Sequence, residues 1–342
     1  MKNWPKFSIR KKIRSHPYGV VVLMAAALLV MACLSILVGS VSISPGELFS
    51  ALGASGDPAH TSILLYVRIP RTVAALMGGS ALAVSGVLLQ AVLQNALASP
   101  NIIGVNAGAG LGALLVSTLF PAALGFVPAA AFGGALLTTL IIYTVARRTG
   151  ISRITLVLAG VAVSSLLSAG MDALITLFPD SAVGANAFLI GGFSGVSWNH
   201  LFFALPYIAA GLLLAHLFRY ELNVLGLGED TAASLGLRVG RYRFMLIVTA
   251  ALLAGSAVSF AGLLGFIGLI VPHAARFLVG PDHRLLVPVS ALLGAVFTMG
   301  CDLLARILFA PYEVPVGIIM SFLGAPFFIY LILNRKRGRI HD

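Results

Sequence analysis

The sequence predicts an all-α polytopic membrane protein of about ten transmembrane helices with an inverted internal repeat. Three observations predict it. Of the 342 residues, 59% are hydrophobic and only 10% charged, with mean hydropathy +1.02; a soluble domain carries about 25% charged residues. Apolar runs of about 20 residues recur from end to end, each long enough as a helix to cross a hydrocarbon core of about 30 Å. The alternation over segments of about ten residues that marks barrel strands is absent, and lipid admits only helices or closed barrels.

Spans are predicted near 19–39, 66–92, 100–119, 126–146, 154–177, 197–218, 243–262, a shorter one near 263–278, then 285–305 and 316–333. The basic stretch before the first (Lys2, Lys6, Arg10, Lys11, Lys12, Arg14) resembles a signal peptide. The run that follows is long for a signal core and no A-x-A site succeeds it, so it reads as an uncleaved first span. This gives a cytoplasmic basic leader at 1–18, one transmembrane domain at 19–334 and a cytoplasmic basic tail at 335–342.

Ten spans place both termini on one side, and basic residues test the count because cytoplasmic loops collect them. Of the 22 lysines and arginines, all but Arg68, Arg71 and Arg306 fall on the side of the termini. The net charge of +11 is therefore topology rather than a nucleic-acid footprint. The three exceptions lie at outer ends of spans.

Residues 75–89 (ALMGGSALAVSGVLL) match residues 251–265 (ALLAGSAVSFAGLLG) without gaps at Ala75, Leu76, Gly79, Ser80, Ala81, Gly86 and Leu88. The two copies run in opposite directions across the bilayer, the signature of an inverted repeat; shared low-complexity composition is the alternative. Gly104, Gly108 and Gly112, spaced by four, predict close helix packing. Pro/Gly clusters at 95–100, 178–196, 262–272 and 311–326 predict broken or re-entrant helices, tolerated only inside protein or against a water-filled cavity.

Cys33 and Cys301 both lie in apolar runs, which argues against a disulfide scaffold or metal site. No G-x-x-x-x-G-K-[ST], H-E-x-x-H or C-x-x-C occurs, so if ATP drives this protein another polypeptide binds it. Asp172 and Asp302 are the only acids well inside spans; such carboxylates mark a proton path or an ion pair. His273, after Pro272, is a pH switch or a satisfied helix-end histidine. In the loop Leu225–Leu237 (LGLGEDTAASLGL), Glu229 and Asp230 suit a helix N-terminus and Gly236 its stop. The segment is either a short helix that enters a partner's groove or an ordinary turn.

Several motifs settle among these readings: Arg68-Ile69-Pro70-Arg71; Gly86 followed by Gln90; Gln94-Asn95-Ala96-Leu97-Ala98-Ser99-Pro100 leading to Gly104; the LGLGEDTAASLG loop; Gly265-Phe266-Ile267-Gly268-Leu269 with Pro272-His273 and Arg276; and Pro315-Val316-Gly317 with Gly324-Ala325-Pro326. Together they resemble the FecCD-type (BtuC-like) permease subunits of binding-protein-dependent ABC importers, over nearly all of residues 60–335. Ala96 stands where that family usually has proline.

The resemblance implies a type II importer permease of ten spans, paired with a second permease subunit, identical or paralogous. Two cytoplasmic ATPase subunits would carry ATP and Mg²⁺, leaving no cofactor or metal on this chain. It also implies that loop 225–237, through Gly228, Glu229, Asp230, Ala233, Leu235 and Gly236, couples to the ATPase. Gln90, Asn95, Leu97 and Pro100 then belong to the gate and pathway. Arg68, Arg71 and Arg306 become docking positions for an extracytoplasmic substrate-binding protein, where a guanidinium fork pairs two carboxylate oxygens. Without the resemblance, snorkelling at the interface accounts for Arg68 and Arg71, and pairing with Asp302, one helical turn away, accounts for Arg306. The implied cargo is an iron(III)-siderophore or related metal chelate, and the implied location a bacterial cytoplasmic membrane. The alternative is an ion-coupled secondary transporter acting without an ATPase, with Asp172 or Asp302 as its ion site. Reporter fusions within residues 225–237 are expected to give cytoplasmic signals; an outer-face signal would overturn the span count.

Overall fold

The computed structural model describes residues 17–39, 46, 58–148 and 153–335; the leader's basic residues, and Lys336, Arg337 and Arg339 of the tail, lie outside them. Among the described residues the structure is helical throughout, without strands. In chain order the helices are α1 (Pro17–Leu37), α2 (Pro58–Ile63), α3 (Ile69–Val92), α4 (Val105–Leu119), α5 (Val127–Arg148), α6 (Arg153–Leu177), α7 (Pro179–Ile190), α8 (Trp198–Leu217), α9 (Arg219–Leu225), α10 (Glu229–Ser234), α11 (Val239–Ala261), α12 (Ile267–Val279), α13 (His283–Ile307) and α14 (Val316–Arg335). Seven helical segments among the described residues are long and apolar enough to cross a membrane, and α4, α12 and the apolar part of α14 are shorter apolar helices. These ten segments fall on the ten predicted spans.

Two α-helices start several residues later than the predicted spans, for one reason. The third span begins with a 3₁₀ turn, Pro100–Ile103, and its α-helix starts only after Gly104, whose backbone is left-handed (φ 74°). The eighth starts after Phe266, also left-handed (φ 64°). A left-handed residue cannot continue a right-handed helix, so each helix is shortened at its start. The 178–196 segment is broken as expected: α7 ends at Gly191 and the chain turns back towards α8.

A window of α2–α3 is 89% buried and one of α11 is 78% buried, against 11% for α1. The bundle is therefore built around α3 and α11, with the other helices outside them. Outward-facing positions are apolar, among them Val22, Leu23, Phe202 and Leu213, as a lipid-facing surface requires.

The repeat is visible in the packing. In the first copy α3 lies against α13, and in the second α11 lies against α5. The matched glycines stand at these contacts. A Cβ on Gly79 would lie 2.3 Å from the carbonyl oxygen of Gly294 in α13, and one on Gly255 would lie 3.1 Å from the Ala135 Cβ in α5. Gly86 packs tighter still, its Cβ position 1.9 Å from the Gly268 carbonyl oxygen of α12. The predicted glycine run does what its spacing implied: Gly108 and Gly112 rest on the backbones of Gly134 and Ala130 in α5. Without a hydrophobic drive between helices in lipid, such backbone approach supplies the packing. Gly86→Ala is expected to destabilise the detergent-solubilised protein by about 1–3 kcal/mol through overpacking, read as a fall in Tm. Gly133→Ala, where the new Cβ meets nothing within 4 Å, is expected to leave Tm unchanged.

Candidate functional site

Two clusters of the predicted residues form at opposite ends of the bundle. At one end α3 begins after a π-helical turn, Leu64–Arg68, which absorbs the missing N–H of Pro70. The turn brings Arg68 and Arg71 beside Arg306 near the end of α13. All three line a cavity of about 190 Å³ with Gly39, Ile63, Val67 and Glu313. They share one face of the molecule, as predicted, but they are not open forks. Arg68, Arg71 and Arg306 are 5%, 7% and 3% exposed.

Their donors are used inside the chain. Arg71 Nε donates to both Asp302 oxygens (3.0 and 3.2 Å), and its Nη1 pairs with Glu313 at 2.6 Å. Arg306 Nη2 meets Asp302 Oδ2 at 3.2 Å and donates to Ser35 Oγ, while its Nη1 donates to the Ser35 and Val38 carbonyls. Arg68 Nη1 donates to the Ile36 and Leu37 carbonyls. Two arginines thus cap the last turn of α1, where unpaired carbonyls and the dipole favour a cation. The physical reason for the inward turn is the low dielectric: a guanidinium at a span end takes whatever acceptors lie nearest.

Pairing of Arg306 with Asp302 is one of the two readings its position left open, and it is realised. Glu313 escaped the sequence reading; its signal was available, as the acid next along the chain after Asp302, in the short link before α14. Asp172, the other in-span acid, is exposed on α6. Replacing Asp302, which is fully buried, with asparagine leaves two buried cations short of their counter-ion. The expected loss is about 3–5 kcal/mol, measurable as a lower Tm in detergent.

At the other end α3 closes at Gln94–Asn95, and the gate candidates converge there. Gln90 is buried; its Nε2 donates to the Gly268 carbonyl (3.2 Å) and its Oε1 accepts from Arg276. Pro100 Cδ sits 3.0 Å from where Gly268 would carry a Cβ, so Gln90, Pro100 and α12 form one packed unit. Asn95 is exposed, and its Oδ1 accepts from the Leu97 N–H, folding 95–97 into a tight turn. A cavity of about 380 Å³ opens beside it, lined by Leu93, Gln94, Asn95, Ile154, Val157 and Leu158. His273 Nδ1 is bonded to the Leu269 carbonyl one turn earlier in α12, the satisfied helical histidine of the two readings.

Loop 225–237 lies at this same end and does form a helix. Gly228 precedes α10 and Gly236 follows it in the left-handed region (φ 85°). Ala232 is buried and Glu229 pairs with Arg243 of α11. Asp230, Ala233, Leu235 and Gly236 are exposed. The exposed Leu227 (62%) and Leu235 (63%), one on each side of this short helix, make a surface suited to a partner's groove.

Close by, Asp282 caps α13. Its carboxyl accepts from the Arg284 backbone N–H and the Asn223 side-chain amide, and these bonds hold it below the ordinary carboxylate range. The charged form therefore contributes stability above its unfolded pKa of about 3.9, and that contribution is lost as pH falls through the lowered folded value. Asp282→Ala is expected to cost about 1 kcal/mol, the usual value of an N-cap, and to flatten the acid limb of a Tm-against-pH profile.

Among the described residues no group of three or more His, Cys, Asp or Glu is placed to hold a metal ion. The sequence model of the FecCD transport family matches residues 27–334. The chain is 35% identical over 333 residues to the Fe(3+)-citrate import system permease protein YfmE of Bacillus subtilis, covering 97% of this chain and 99% of that one. It is 42% identical over 283 residues to the cobalamin import system permease protein BtuC of Halobacterium salinarum, covering 82% of this chain and 76% of that one. A solved structure described as an inward-facing conformation of a metal-chelate type ABC transporter superposes with TM-score 0.82 at 29% identity, over 92% of this chain and 99% of that chain.

Proposed function

The chain belongs to the FecCD transport family, and on that premise we propose that it is the permease subunit of an ATP-driven importer carrying an iron(III)-siderophore or related metal chelate across a bacterial cytoplasmic membrane. The observation that carries this reading is the end-to-end match, in sequence and in fold, to importer permeases. Both termini and loop 225–237 face the cytoplasm, and the Arg71 end faces outward. The partners are a second permease subunit, two ATPase subunits seated on α10, and a substrate-binding protein.

Alternating access follows from this arrangement. A loaded binding protein settles over the outer cavity, and a carboxylate on its surface enters between Arg68, Arg71 and Arg306. Arg68, Arg71 and Arg306 line that cavity together, and a positive patch is complementary to an acidic one on a partner. Closure of the ATPases moves α10, and the gate at 95–100 opens or shuts the pathway. A cavity of about 670 Å³ between α4, α7 and α14, lined by Asn101, Asn106, Ser321 and apolar neighbours, suits a bulky chelate held by few specific contacts. The ion-coupled alternative gains nothing from the geometry, since Asp302 is claimed by two arginines.

Affinity purification from a bacterial membrane is expected to bring down a P-loop ATPase, and deletion is expected to abolish uptake of ⁵⁵Fe-labelled hydroxamate, catecholate or citrate chelates. Gradient-driven uptake by the purified chain alone in liposomes would refute the proposal.

A further inference from the structure

Gln94 carries a cost that its backbone role does not explain. It ends α3 in the left-handed region (φ 43°). The bonds around it form a complete helix stop: Gln94 N–H to the Ala91 carbonyl and Asn95 N–H to the Gln90 carbonyl. That stop uses backbone atoms alone and favours glycine at the left-handed position, because a Cβ there crowds the carbonyl. Every other left-handed residue of the described chain is glycine except Phe266. A side chain kept where glycine would serve better invites the question of what it does.

Its amide answers. Gln94 Nε2 donates to the Leu225 carbonyl at 2.7 Å, across 131 residues. Leu225 is the last residue of α9 and is buried. The same carbonyl accepts from the N–H of Gly228, the residue that opens α10. The bond therefore joins the hinge of the partner-facing loop to the residue immediately before Asn95. On its other side the gate segment is tied back to α12 through Gln90 and Pro100. Residues 95–97 lie between these two anchors.

We propose that Gln94 is the positioning residue that transmits displacement of the 225–237 element to the 95–100 segment, so that the gate follows the ATPase through one side-chain hydrogen bond. The inference rests on the reading of the chain as an ATPase-coupled permease. It also assigns a reason for the left-handed glutamine: glycine gives an easier turn and a disconnected gate.

The test uses the full permease–ATPase complex in lipid nanodiscs, with Cys33 and Cys301 replaced by serine and Ala96→Cys as the reporter. The rate of Ala96→Cys modification by a membrane-impermeant maleimide is measured without nucleotide and with ATP and vanadate. ATP hydrolysis is followed in parallel. With Gln94 present the rate is expected to change on nucleotide binding. Gln94→Gly relaxes the turn and deletes the bond; Gln94→Glu keeps length and backbone cost but has no donor. Both are expected to shrink the nucleotide response about five- to tenfold, the factor one neutral hydrogen bond supplies, while hydrolysis continues. Gln94→Lys, which restores a donor of sufficient reach, is expected to recover it. A purely structural role predicts the reverse order, with Gln94→Gly the most stable and fully responsive. A full response in both Gln94→Gly and Gln94→Glu, or no response with Gln94 intact, would overturn the proposal. Absence of any copurifying ATPase would instead overturn the reading beneath it.

Discussion

The close approach of helix backbones at glycine holds this structure together. In lipid the apolar surface of a helix gains nothing by leaving the solvent, so contact must come from atoms that fit. At Gly79 against Gly294, and Gly86 against Gly268, the backbones touch with no room for a methyl group. These contacts sink α3 into the middle of the bundle and lay α13 and α12 along it. The polar side chains then find their partners at short range. Ser80 donates to the Ala291 carbonyl and Ser85 to the Ala250 carbonyl, and Arg71 comes within reach of Asp302 because α3 and α13 share that seam.

Much of the fold was legible because the bilayer imposes it. Ten apolar runs and a one-sided distribution of arginine and lysine depend on composition over long windows, which local packing cannot hide. The repeat was legible for a related reason: Gly79 and Gly255 each stand where a neighbouring helix packs closely, so a small residue recurs at the matched place. The two shortened helices were not. Nothing in the spelling of Gly104 separates a left-handed stop from a packing glycine, and Phe266 is a residue that sterics disfavour there. Its ring lies over Gly324 of α14, a tertiary contact that outweighs local preference.

The functional residues divide in the same manner. Their grouping at two ends followed from span count and motif order. Their exposure did not, because burial of an arginine depends on acceptors supplied from elsewhere in the chain. The carbonyls that hold Arg68 and Arg306 belong to the end of α1, and one of Arg71's two carboxylates lies in the link before α14. Likewise Gln94 reads as one more polar residue in a turn until the Leu225 carbonyl is seen beside it. Spacing along one helix predicts a partner four residues away, as for Asp302 and Arg306; it is silent about one that arrives from a distant span.

The separation of Arg71 from Asp302 has a consequence for biogenesis. The two are 231 residues apart, and a ribosome adding about 5–20 residues each second needs roughly 10–50 s to cover that distance. Throughout that interval the nascent chain holds a guanidinium at the rim of the bilayer before its carboxylate has been made. A product truncated before α13 keeps that mismatch permanently. The ion pair therefore forms only after α13 has been synthesised, late in the assembly of the bundle.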